Sequence, residues 1–278
     1  MTIADFLILL VRVNLAAGAA IALVLALRIP VRRTFGAHFA YALWLLPLCA
    51  AFGAAVPQYM PGEPPSTVAA MTRGVITTFE SQDHDGFALA IWCVGAALGA
   101  TLAVLSLARF MRAERAGSAG PAVVGVVVPR LVVPSDAPVR YTAQEWRLIR
   151  AHERAHMDRQ DGRGAAVAAL AQWLCWFNPL LHLVGPALRL DQELACDATV
   201  LERLPVERRR YAETLLRTHD TEPALFVAAF GGCGSLEVRL AMLSKRPPSL
   251  NRLELGEVLI IVLGIAAVIG GAAMHAIV

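Results

Sequence analysis

Charge is scarce in this chain. Only 17% of its 278 residues are Asp, Glu, Lys or Arg, while 57% are hydrophobic and the mean hydropathy is +0.56. That scarcity argues against an ordinary soluble domain and makes a membrane protein the expected class. Lysine is nearly missing. Lys245 is the one lysine among 25 basic residues, a bias that carries no functional information. Cysteine is sparse and scattered: Cys49, Cys93, Cys175, Cys196 and Cys233 form no C-x-x-C pair. Neither a disulfide framework nor a cysteine metal site is indicated, and buried thiols are expected. No small-residue cleavage site follows the first apolar run, so that run is expected to be a retained span and not a removed signal peptide. The net charge of +3 is small, and its placement matters more than its size; direct nucleic-acid binding is not expected.

What the chain does have is long apolar runs. The first spans about 6–27 and contains Arg12 and Asn14, which are costly in lipid and are expected to face other helices. Arg28, Pro30, Arg32 and Arg33 end it. The second covers about 37–56. Residues 57–86 are polar, Pro-rich and acidic. The third run, about 87–107, is long enough at 1.5 Å per residue to cross the hydrocarbon layer. Arg109, Arg112 and Arg115 follow at once, and a last run covers about 258–274. Basic residues concentrate after the first and third runs, so both places are expected to be cytoplasmic and the 57–86 loop external. Both termini are then external. The expected domains are 1–108 with three spans, 109–256 as a cytoplasmic domain, and 257–278 with a fourth span.

The 109–256 segment carries the chemistry. Ala122–Val128 and Leu131–Val133 read as short paired or edge strands, useful to a protease that binds an extended peptide. Thr142 and Glu145 form a T-x-x-E capping box for a helix over about 143–160, which Asp161-Gly162 ends. That helix contains His152-Glu153-x-x-His156. Residues four apart share a helix face, so two imidazoles can meet one ion. Such a pair with a carboxylate and an open position is the ligand set of a catalytic Zn²⁺. Glu153 is placed to act as general base on a metal-bound water. The plain alternative is an exposed charged helix that happens to hold two histidines. A second pair weighs against it: Glu193 and Asp197, four apart on another expected helix. Glu193 can complete the ligand set, and Asp197 can hold the free N–H of a ligating histidine.

The apolar stretch 164–184 is long enough to span. It is expected to be buried or membrane-surface instead, because a span there would separate His152 and His156 from Glu193 across the bilayer. Asn178-Pro179 is expected to break it, with a second helix from Arg189 to about Leu201. Residues 205–220 read as a charged amphipathic helix, 226–235 as Gly-rich and irregular, and 236–243 as a short helix. His182 and Tyr211 are further candidates for stabilising an oxyanion.

The chain resembles the BlaR/MecR group of integral-membrane zinc metallopeptidases. The resemblance rests on His152-Glu153-x-x-His156 with Asp161, on Asn178-Pro179-Leu180, and on Glu193-Leu194-Ala195-Cys196-Asp197. It extends to the strand, Pro-Arg, strand, Pro pattern of 125–134, to Phe230-Gly231-Gly232 and to Leu236-Glu237-x-Arg239-Leu240. It implies a mainly α membrane protein, with four transmembrane helices and an inserted cytoplasmic α+β, gluzincin-like zinc protease domain. His152, His156 and Glu193 would be ligands and Glu153 the general base, with Asp197 and Asp161 as supporting or auxiliary carboxylates. The implied setting is the bacterial cytoplasmic membrane, and the implied substrate a cytoplasmic protein such as a DNA-binding repressor, or the chain itself. In the family's best-known members an external domain that receives a β-lactam follows the fourth span. No such domain follows here, so β-lactam sensing is not expected, and a separate sensor protein or a homo-oligomer is an open possibility. Two other functions compete: a membrane quality-control zinc protease of broad specificity, and a non-catalytic zinc-containing signalling scaffold. Cleavage within the membrane is not expected, because Arg147, Arg150, Arg154, Asp158 and Arg159 make the His152 helix too polar for lipid.

Overall fold

The computed structural model describes residues 2–56, 82–117, 120–221 and 234–276. Four helical stretches are long and apolar enough to cross a membrane: Ile3–Thr34, Ala37–Ala55, Asp85–Arg115 and Leu250–Ala273. They contain all four expected spans except at the ends of the runs.

The first helix, α1 (Ile3–Thr34), opens with a capping box between Thr2 and Asp5. It does not stop at the arginines, as the sequence suggested. It continues through Pro30, which sits near its C-terminal end where few helical bonds remain to be lost. Arg28 and Arg32 are therefore one turn apart on a single helical face. The second stretch has three parts: α2 (Ala37–Ala42), a 3₁₀ turn (Leu43–Leu45) and α3 (Leu46–Ala55).

Small residues allow α3 to approach α11 (Leu250–Ala273) closely. A Cβ on Gly53 would lie 2.1 Å from the Val268 carbonyl oxygen, and one on Gly271 2.1 Å from that of Ala50. Backbones this near can pack only through glycine. Arg12 and Asn14 do face other elements. Arg12 donates to His275 Nδ1 at 2.6 Å, and Asn14 Oδ1 accepts from Asn178 Nδ2 at 2.9 Å. The third candidate span lies in α4 (Gln82–Arg115), whose Gly95 and Gly99 take the rings of Trp176 and Trp173.

The remaining elements surround the candidate site. Strands β1 (Ala122–Val124) and β2 (Arg130–Val132) pair antiparallel, Ala122 with Val132 and Val124 with Arg130. β1 is shorter than the expected strand, and β2 keeps the expected length but starts one residue earlier. Gly125, at φ +112°, turns the chain, and Val126–Val128 become the exposed tip. This hairpin is the sheet found among the described residues. At the tip, Arg163 donates to the Val126 carbonyl at 3.2 Å. A one-turn helix, α5 (Ala137–Arg140), precedes α6 (Ala143–Arg159), which has the expected Thr142–Glu145 capping box.

Gln160, in the left-handed region at φ 57°, ends α6. Asp161 does not terminate α6 but starts α7 (Asp161–Leu174), a correction that matters for the site. Asn178-Pro179 breaks the apolar stretch as expected, since α7 ends at Leu174, but the next helix starts at once. Asn178 caps the Leu180 N–H at 2.9 Å and Pro179 occupies the first turn, so the pair begins α8 (Pro179–Arg203). That single helix passes through Pro186 and includes the segment expected to start only at Arg189. Two more helices follow: α9 (Arg208–Thr221) and α10 (Gly234–Leu243). A small core of Leu148, Val200, Tyr211, Leu215 and Leu243 joins α6, α8, α9 and α10. The external-loop expectation for 57–81 and the Gly-rich expectation for 226–233 fall outside the described residues.

Candidate metal centre

Helices α6 and α8 pack so that the histidine pair of one meets Glu193 of the other. His152 Nε2 lies 3.1 Å from His156 Nε2 and 3.2 Å from Glu193 Oε2. Glu193 Oε1 is 3.6 Å from His156 Nε2. Three donor atoms from residues 41 apart in sequence thus converge, all within 4.8 Å of one another. Nitrogen and carboxylate donors in this number fit a borderline divalent ion such as Zn²⁺.

Each imidazole is held from behind by its other nitrogen. Tyr211 donates to Asp197 Oδ1 at 2.6 Å, and its oxygen lies 2.8 Å from His152 Nδ1. The single phenolic hydrogen goes to the carboxylate, so the hydroxyl accepts from Nδ1–H. This sets the tautomer that turns the Nε2 lone pair of His152 toward the cage. His156 Nδ1 faces Asp161 Oδ2 at 2.8 Å. Asp161 can do this because the left-handed turn at Gln160 folds the chain back over the end of α6.

His156, Asp161 and Cys196 form a second group able to hold a metal ion. Cys196 is fully buried, and burial pushes its thiol far above the usual range. A neutral thiol is a poor ligand and a weak donor. It donates to Asp161 Oδ2 at 3.4 Å. The chemistry of the donors therefore favours the His152–His156–Glu193 group, with Asp161 and Cys196 supporting His156 from behind.

Charge is balanced by Arg239, to which the sequence reading had given no role. It donates to both Asp197 oxygens, at 2.7 and 2.8 Å, and reaches Glu193 Oε2 at 3.0 Å. Burial works against the charged form of Glu193, but Arg239 and the two histidines hold its carboxyl well below the usual range. Asp197 is likewise held at about 2 against burial, by Arg239 and His152. Burial opposes protonation of His152, yet Asp197 and Glu193 outweigh it and push its pKa up to about 10. Glu153, only 8% exposed, is raised by burial. In the sequence, Arg239 shows as part of the Leu236-Glu237-x-Arg239-Leu240 motif and as a cation on an otherwise apolar stripe of α10.

The oxyanion candidates are placed otherwise than expected. Tyr211 is buried behind His152 with its hydroxyl engaged on both sides. His182 meets Gln172 at 2.9 Å and the Trp176 carbonyl at 2.8 Å, and it lines a groove against α4. It does not join the cage.

Residues 113–243 match the family model described as BlaR1 peptidase M56. Among curated proteins, the regulatory protein BlaR1 of Bacillus licheniformis is 29% identical over 98 residues, 35% of this chain and 16% of that protein. The methicillin resistance mecR1 proteins of Staphylococcus aureus and Staphylococcus epidermidis are 30% identical over 98 residues, 35% of this chain and 17% of theirs. The chain thus spans about a sixth of the length of these relatives. No solved structure matches. The matched segment runs from the end of α4 through α10 and contains every residue of the cage and its supports, and over it the chain is similar to the BlaR/MecR-type membrane metallopeptidases.

Proposed function

We propose that this chain is a membrane-embedded zinc metalloendopeptidase of the gluzincin type that cleaves a cytoplasmic protein in a signalling pathway. The observation that carries the reading is the convergence of His152 Nε2, His156 Nε2 and the Glu193 carboxylate, with each imidazole braced through its far nitrogen. His152, His156 and Glu193 are the proposed ligands. When bound there, zinc supplies Lewis acidity and lowers the pKa of water to near neutrality. Glu153 follows His152 on α6 and is shielded from solvent, which raises its basicity. It takes a proton on its carboxylate and delivers it to the leaving amine. Arg239, Asp197, Tyr211 and Asp161 orient the ligands and do not touch substrate.

The domain is proposed to extend over 109–256, as an α+β unit whose sheet is the β1–β2 hairpin. Cytoplasmic placement is supported by Arg28 and Arg32. These belong to the basic end of α1, and both meet Asp191 on α8, at 3.1 and 3.5 Å. The cage therefore lies toward the end of the spans that the positive-inside rule assigns to the cytoplasm. Both termini are then external. The names of the relatives, a regulatory protein and resistance proteins, favour a regulatory substrate such as a repressor over broad proteolysis.

The test is a census of new protein N-termini in host cells, wild type against Glu153→Ala, with the zinc content of both proteins measured. One or a few ends found only with the wild type support the reading. Many ends indicate a quality-control protease. Identical ends from zinc-loaded proteins in stimulated cells leave a signalling scaffold.

A further inference from the structure

Helix α8 presents Glu193 to α6. Asp191 precedes it by two residues, about 200° round the helix, so the two carboxylates face opposite ways. Asp191 is fully buried against the membrane-side helices. Trp44 donates to Asp191 Oδ2 at 2.9 Å from the 3₁₀ turn of the second candidate span. Arg28 donates to the same oxygen at 3.1 Å and to the Ala187 carbonyl at 3.2 Å. Arg32 stands 3.5 Å from Oδ1. A rotation or slide of α8 would pull a buried carboxylate from two guanidinium groups and an indole N–H.

The same short segment reaches the other half of the cage. The Tyr41 ring lies 4.3 Å from the Arg159 guanidinium carbon, at the end of α6. Arg159 is 3.6 Å from Asp161 Oδ1, and Asp161 holds His156 Nδ1 at 2.8 Å. Between these contacts, Ala37 and Tyr41 pack on Leu194 and Ala195 beside Glu193.

We propose that the Tyr41–Trp44 segment positions both metal-binding helices, Trp44 through Asp191 and Tyr41 through Arg159 and Asp161, so that the geometry of the cage is set from within the membrane-side helices. This rests on the reading of the cage as a metal centre. It makes Tyr41, Trp44 and Asp191 positioning residues and names the second span as the place where a membrane event reaches the site.

The experiment uses the full chain in lipid nanodiscs, titrated with Zn²⁺ for affinity and with Co²⁺ for its ligand-field spectrum. The variants are Trp44→Phe, Tyr41→Leu, Tyr41→Phe, Asp191→Asn and Glu193→Gln, each checked for folding by circular dichroism and gel filtration. Trp44→Phe keeps the bulk and loses the N–H. Tyr41→Leu loses the ring face, and Tyr41→Phe keeps it. Trp44→Phe and Tyr41→Leu are expected to weaken Zn²⁺ binding about ten-fold and to shift the Co²⁺ spectrum, while Tyr41→Phe, which keeps the ring over Arg159 and loses the hydroxyl that meets Asp161 and Gln192, falls between Tyr41→Leu and wild type. If Asp191→Asn does not fold, the Trp44 and Tyr41 variants decide. Wild-type affinity and an unchanged spectrum in both folded variants, with Glu193→Gln impaired, overturn this inference alone. A wild-type chain that binds neither ion overturns the metal-centre reading and this inference together.

Discussion

Arg239 takes both carboxylate oxygens of Asp197, at 2.7 and 2.8 Å. The fork fixes α10 to α8, and its remaining nitrogen extends to Glu193. Two buried carboxylates one helical turn apart would repel each other, and the guanidinium between them removes that repulsion. It also leaves one net negative charge facing the ion, before the histidines are counted. An arginine is suited to this because lysine cannot form two parallel bonds to one carboxylate.

Arg239→Ala should therefore destabilise the metal-free protein by about 3 kcal/mol, the range for stripping one partner from a buried ion pair. Zn²⁺ should restore part of this by meeting Glu193. Reversible unfolding in detergent, with and without Zn²⁺, measures both. An Arg239→Ala protein as stable as wild type without metal would show that the fork is not a structural bond.

Asp197 gives a prediction with a defined pH window. Its pKa falls from 3.8 to about 2 on folding. A lowered carboxyl contributes stability that is present above the unfolded value and is lost as pH falls through the folded one. The contribution is about 2 kcal/mol. The stability gap between wild type and Asp197→Asn should hold from neutrality down to about pH 4 and then close toward pH 2. A gap constant across that window would mean that Asp197 is not the titrating group.

The α3–α11 contact is a test of the fold without reference to the site. Gly271→Ala places a methyl 2.1 Å from the Ala50 oxygen, which backbone separation alone can relieve. A loss of about 1–3 kcal/mol is expected. Gly264→Ala, on the same helix with nothing within 4 Å of its Cβ, should be neutral. Thermal unfolding of the two variants distinguishes close packing from a general effect of alanine in α11.

The parts of the site that could be read from sequence are those set by local geometry. His152 and His156, and Glu193 and Asp197, declare themselves by spacing along one helix, and Thr142 with Glu145 marks where that helix starts. The four spans are legible because apolar length alone defines them. What was missed depends on distant pairing. Arg239 meets Asp197 from 42 residues away, and Trp44 meets Asp191 from 147. No periodicity announces such contacts. The starts of α7 and α8 escape for another reason: Asp161 and Asn178-Pro179 signal a helix start as well as a stop, and each stop here is followed at once by a new helix.

His152 links the site to pH most directly. In the metal-free protein its pKa rises from 6.5 to about 10, because Asp197 and Glu193 favour the imidazolium more than burial opposes it. A raised base contributes stability that is fully present below 6.5 and is lost as pH climbs through about 10. Metal-free protein should therefore lose stability steadily across that interval. A bound ion replaces the proton on Nε2, so loading near neutral pH must expel it. Zinc affinity should rise by close to ten-fold per pH unit between about 7 and 9 from this group, and then level off. Calorimetry in two buffers of different ionisation enthalpy counts the protons released. In His152→Ala protein the alkaline loss of metal-free stability should disappear. Release of no proton by the wild type would mean that His152 is neutral before the ion arrives, and that the carboxylates around it are paired with Arg239 alone.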